Sequence, residues 1–297
     1  MNIELKSVKL SNGETMAYRE REGGSQLLIL VHGNMSSSKH WDIFMEEIDE
    51  KYKVYAVDLR GFGDSTYHQQ INSLADFAND LKLFTDELNL RNFHLMGWST
   101  GGGVIMEFAA SYPDDVEKLV LLEAVSTRGY PIFKKNEKGE PIPGELLSTR
   151  EEIAKDPVQV VPILKTYKNQ DKERLKIIWN NLIYTDNKPA PEKYDEYLEA
   201  TLKQRNLVDV DYALANFNIS SEYNGVKEGN GRAEKIIAPT LVLWGTNDQV
   251  VPEQMALDIV NDIGDNTHLV YLDDCGHSPL TDDLEQVITV VTDFITS

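Results

Sequence analysis

The chain has one cysteine, Cys275, in 297 residues, so no internal disulfide can form and the composition fits a reducing compartment. Basic residues are also scarce: 29 Lys and Arg stand against 49 Asp and Glu, a formal net charge of −20. So acidic a surface repels nucleic acid phosphates and anionic membranes, which disfavours a nucleic-acid role. No run approaches the roughly 20 apolar residues needed to span a bilayer. The opening MNIELKSVKL has neither the charged start nor the apolar stretch of a secretion signal, and a cytoplasmic location is expected. The histidines are dispersed and no Cys or His pair has ligand spacing, so no metal is expected. The Gly-x-Gly sequences lack the strand, helix and downstream acid of a dinucleotide site, so no cofactor is expected either.

What the sequence does contain is rhythm. IELKSVKL and ETMAYRE alternate in polarity around Ser11-Asn12-Gly13 and read as a hairpin. LLILV, KVYAV, FHLMG, KLVLL, TLVLW and HLVYL then recur as short apolar runs, the pattern of strands buried on both faces. Between several of them SLADFANDLKLFTDEL, STGGGVIMEFAASY, PEQMALDIVNDI and LEQVITVVTDFI repeat apolar residues at helical spacing. Strand alternating with helix implies an α/β fold, a mostly parallel eight-stranded sheet flanked by helices. The rhythm breaks over residues 126–235, where 18 Lys or Arg balance 18 Asp or Glu while the remainder, 11 against 31, carries the whole excess. This segment is expected to be an inserted, mainly helical subdomain on a core made of 1–125 and 236–297, with Pro141, Pro143, Pro189 and Pro191 in connections.

Gly97-Trp98-Ser99-Thr100-Gly101 closes one strand-like run and opens a helical one. A sharp turn there would lift the Ser99 hydroxyl above the sheet edge, with glycines where a side chain would collide with the neighbouring strand and helix. The same position suits a helix N-cap, so the companions of Ser99 decide. A serine hydroxyl needs a base. Of His32, His40, His68, His94, His268 and His277, only His277 lies just beyond a strand end, in DDCGHSP. His94 and His268 begin strands at the opposite edge and are expected at the surface. His40 and His68 are expected in solvent, and His32 belongs to the turn after LLILV.

The base needs an acid to hold its tautomer. Asp248, in TLVLWGTNDQVVP, sits on a loop long enough to reach a following histidine loop; Glu123, directly after KLVLL, is the rival. Backbone amides of Asn34 and Thr100 are the expected oxyanion donors. Trp41 is expected to pack the Asn34 loop.

Together these residues resemble the α/β-hydrolase superfamily. His32-Gly33-Asn34 is similar to its oxyanion loop, Gly97 to Gly101 to its nucleophile elbow, Gly245 to Asp248 to its acid loop, and Cys275 to Pro279 to its histidine loop. VYAVDLRGFGDS is similar to a turn in which Asp58, Arg60, Gly61, Gly63 and Ser65 are structural. The resemblance implies a capped serine hydrolase, carboxylesterase-like, with Ser99, His277 and Asp248 as triad and a small ester or lactone as substrate. Relatives that dehalogenate or open epoxides carry Asp where this chain has Ser99, so those chemistries are not expected. Carbon–carbon bond hydrolysis of the meta-cleavage type is the alternative, and a small-molecule receptor on a hydrolase scaffold is a reading from another class.

Overall fold

The computed structural model describes residues 2–297. Its strands are β1 (Ile3–Lys9), β2 (Thr15–Arg21), β3 (Gln26–Val31), β4 (Tyr52–Val57), β5 (Phe93–Trp98), β6 (Val116–Leu122), β7 (Phe133–Lys135), β8 (Pro141–Leu146), β9 (Thr240–Gly245) and β10 (Thr267–Leu272). Eight of them form one sheet in the order β1-β2-β4-β3-β5-β6-β9-β10. β2 pairs antiparallel with β1 and β4, and every other pairing in this sheet is parallel. These are the eight runs that the sequence pattern marks.

The central runs carry no polar alternation because both faces of the sheet are covered. In β3, Ile29 and Val31 enter one apolar layer with Phe77, Phe84, Phe108 and Ile259, while Leu28 and Leu30 enter the other with Trp41, Phe44, Val287 and Val291. Trp41 is fully buried and meets the Phe44 ring at 5.9 Å. Among the described residues no helix is long and apolar enough to cross a membrane.

Parallel strands end together, so Val31, Val57, Trp98, Leu122, Gly245 and Leu272 deliver six loops to one edge of the sheet. This is where open α/β sheets place their ligands.

Between β6 and β9 the chain leaves the sheet. It forms the β7–β8 hairpin and helices Arg150–Ile153, Val161–Asn169, Lys172–Leu182, Pro191–Thr201 and Leu207–Ala215. The hairpin corrects one expectation: Pro141 and Pro143 lie within β8, not in a connection. A two-stranded ribbon leaves each strand with a free edge, and proline is tolerated there because no second neighbour needs its missing N–H. Pro189 lies in a connection, and Pro191 is the first residue of its helix, where its N–H would be unused anyway.

Candidate active site

Ser99 sits between β5 and helix Thr100–Ser111 with φ 55° and ψ −119°, a backbone conformation rare for a residue with a side chain. Such strain costs on the order of 1–3 kcal/mol and persists only where the surroundings enforce it. Here they do. Ser99 N donates to Leu122 O (2.9 Å), while Ser99 O accepts from Gly102 N (2.9 Å) and Val125 N (3.3 Å). A Cβ at Gly97 would lie 2.5 Å from Gly101 O, and one at Gly101 would lie 2.2 Å from Val31 O. Glycine is therefore demanded by close approach at both positions.

The turn after β3 closes on the same point. A Cβ at Gly33 would stand 2.9 Å from Ser99 Cβ, so the His32-Gly33-Asn34 backbone abuts the serine. Buried His32 fixes this turn from behind: Nε2 accepts from Leu59 N (3.0 Å) and Nδ1 meets Gly33 O at 2.7 Å. Accepting at one nitrogen requires the neutral ring, and burial lowers the His32 pKa in the same sense. Asp58 Oδ1 accepts from Ser38 N (2.7 Å) and Arg60 Nε donates to Asp80 Oδ2 (2.7 Å), so the motif around residue 60 props up the turn. Among the described residues the backbone N–H groups of Asn34 and Thr100 donate to no protein acceptor.

His277 Nδ1 lies 2.8 Å from Asp248 Oδ2, with both side chains almost wholly buried. A carboxylate can only accept, so Nδ1 carries the hydrogen and Nε2 keeps its lone pair. Trp98 Nε1 donates to His277 O (2.8 Å) and Asn247 N to Cys275 O (2.9 Å), which ties the histidine loop to the elbow and the acid loop. Asp248 Oδ1 accepts from Val250 N (2.7 Å) and Val251 N (3.0 Å). Burial would raise its pKa, but the facing His277 and these hydrogen bonds hold it below the usual range. Ser99 Oγ makes no protein hydrogen bond among the described residues, a looseness common before substrate is bound.

Glu123 is brought to the same place without touching the histidine. It is fully buried with φ 45°, and its Oε1 accepts from Gly245 N at 2.7 Å. The second oxygen has no protein donor and meets Asp248. Burial, then the Asp248 charge and the hydrogen bond to it, push its pKa well up. A shift in this direction favours the neutral form of Glu123 beside Asp248. The two rival carboxylates are neighbours, and Asp248 is the one on His277.

Two histidines depart from expectation. His40 is 3% exposed, stacked on Trp179 and Tyr197 with ring centroids 5.3 and 4.7 Å away, and burial lowers its pKa to about 3. Its partners come from helices 139 and 157 positions later, which no local pattern announces. His94 is 4% exposed, within 3.5 Å of Glu117 Oε2, and burial lowers its pKa to about 4. As the second residue of β5 in the middle of the sheet it is covered by neighbours on both sides.

Asp211, on helix Leu207–Ala215, was not marked by any motif. Its Oδ1 accepts from Asn34 Nδ2 (3.0 Å), and Asn34 Oδ1 in turn accepts from Gln204 Nε2 (2.8 Å). A sequence signal existed: Asp211 shares a helical face with Leu207, Leu214 and Ala215, all buried. Among the described residues no three His, Cys, Asp or Glu side chains are grouped to hold a metal ion.

A family model described as alpha/beta hydrolase fold matches residues 26–284. The chain belongs to this family. Hydrolases named for 2-hydroxy-6-oxononadienedioate and 2-hydroxy-6-oxononatrienedioate are similar to it: one from Paraburkholderia phymatum is 28% identical over 94% of this chain and 90% of its own. One from Escherichia coli is 28% identical over 86% and 81%. Among solved α/β hydrolases, an esterase from Exiguobacterium antarcticum superposes with TM-score 0.73 at 20% identity, covering 98% of this chain and 99% of its own. A hydrolase from Pseudomonas aeruginosa gives 0.73 at 19%, covering 99% of each. At such identities the structural likeness carries the fold alone.

Proposed function

We propose that this α/β hydrolase cleaves a small carboxylic ester through an acyl-enzyme intermediate. The observation that carries the reading is the 2.8 Å contact of His277 Nδ1 with Asp248, which leaves Nε2 as a base on a loop that Trp98 Nε1, next to the strained Ser99, holds by its bond to His277 O. Ser99 Oγ attacks the carbonyl carbon and its proton passes to His277 Nε2. The amides of Asn34 and Thr100 hold the oxyanion, a contribution of about 2.7–4 kcal/mol per donor in known cases. As the carbonyl re-forms, the alcohol leaves with the proton from His277. Water then gives a proton to His277 and attacks the acyl carbon, and Ser99 leaves with that proton. Asp248 keeps the ring oriented and stabilises the imidazolium. Residues 126–235 form the cap that closes over the site and selects substrate.

The relatives favour a second reading. A 2-hydroxy-6-oxo dienedioate contains no ester, so its hydrolysis breaks a carbon–carbon bond, and the same serine, base and oxyanion donors can serve that reaction. The discriminating assay is a panel of short-chain aryl and alkyl esters beside a vinylogous diketone. Ester turnover without diketone cleavage is the expected result; the reverse overturns the ester reading and leaves the α/β-hydrolase assignment intact.

A further inference from the structure

Asp211 brings a carboxyl group from the proposed cap onto Asn34, the residue whose backbone N–H is assigned to the oxyanion. Only Oδ1 is used there; Oδ2 has no protein donor among the described residues, and the side chain is only partly shielded from open space. From the other elements around it Asp211 faces Asp156 and Tyr167, and neither brings a positive charge. The basic side chains of this part of the cap are bonded to other acids: Lys135 to Asp156 (3.1 Å) and Arg150 to Asp209 (2.8 Å). A carboxyl group one hydrogen bond from Asn34, with no cation bonded to it, is costly to keep unless it does something.

We propose that Asp211 selects substrates by charge, admitting acyl chains that are neutral or end in an amine and rejecting those that end in a carboxylate. The proposal rests on the ester-hydrolase reading above and deepens it to a substrate class. A dioate such as the one in the relatives' names is then a poor fit to this chain. Burial, opposed by the Asn34 hydrogen bond and reinforced by the Asp156 charge, moves the Asp211 pKa up to about 7. Selection therefore strengthens as pH rises through neutrality, where the carboxyl ionises, and fades in acid, where it is neutral and can donate.

The test compares three acyl chains of equal length as para-nitrophenyl esters: hexanoate, ε-aminocaproate and the monoester of adipate. For like charges about 5 Å apart in a half-buried site, the hexanoate to adipate ratio in kcat/KM is expected to be about 100-fold at a pH of about 8.5, shrinking toward a pH of about 5.5. Asp211→Asn, which keeps an acceptor for Asn34 Nδ2, collapses that ratio at both values and removes the advantage of the amine. Asp211→Ser gives the same collapse if the asparagine variant folds poorly. A ratio unchanged by both substitutions, or a wild type that prefers adipate, overturns the proposal. Calorimetric binding of methyl hexanoate and monomethyl adipate to Ser99→Ala protein reads the same selection without turnover. Charge selection in binding with no ester hydrolysis sinks the ester reading alone, whereas hydrolysis without charge selection sinks the Asp211 assignment alone.

Discussion

Ser99→Ala is expected to lower kcat on a cleaved ester by about 10⁶-fold, the scale seen when a triad serine is removed elsewhere. The loss has one physical origin. The other hydroxyl of the elbow, Thr100 Oγ1, is buried, and a water recruited in place of Ser99 Oγ lacks the fixed geometry of a bound nucleophile. Alanine keeps the Cβ against which Gly33 packs, and Leu122 O, Gly102 N and Val125 N bond only to the backbone of residue 99. The variant should therefore fold, with Tm within a few degrees of wild type and KM little moved. Steady-state kinetics beside circular-dichroism melting separates the two effects. Turnover undiminished in a folded variant means that another group attacks.

The second large effect separates the two neighbouring acids. Asp248→Asn is expected to cost about 10⁴-fold in kcat, because an amide facing Nδ1 can hold the imidazole in the wrong tautomer and cannot stabilise its charge. Glu123→Gln is expected to cost less than about tenfold, since Gln keeps an acceptor for Gly245 N and puts a neutral group with an NH₂ donor beside Asp248. Glu123→Ala differs from both: it leaves the buried Gly245 N–H unpaired, a stability loss of about 1–3 kcal/mol visible in melting before it is visible in rate. If Glu123→Gln proved as damaging as Asp248→Asn, the acid on the histidine would be Glu123.

Much of this site is legible in the sequence because its parts obey local rules. Ser99, His277, Asp248 and Asn34 each follow a strand of the parallel sheet directly, so knowing the strands places their loops at one edge. The glycines at 33, 97 and 101 are forced by approach distances of the turn itself. What the sequence does not yield depends on distant pairing. His40 looks like a solvated loop histidine until Trp179 and Tyr197 arrive from helices between β6 and β9, and His94 looks exposed until the sheet closes on both sides of β5. Pro141 and Pro143 read as punctuation because their strand has a single neighbour. Glu123 and Asp248 appear as competitors when each is measured against His277 alone; only the fold shows that they meet each other. Asp211 belongs to no motif, and its meaning comes from one hydrogen bond to a residue 177 positions earlier.

The central claim is that Ser99, activated by His277, is the attacking atom of this α/β hydrolase. It is tested most directly by intact-mass analysis after treatment with a fluorophosphonate, a reagent captured by an activated serine. The account predicts a single adduct mapping to Ser99, formed at a rate that falls when His277 is replaced by alanine and lost in Ser99→Ala protein. No adduct on folded wild-type protein, or one on another residue, would contradict it.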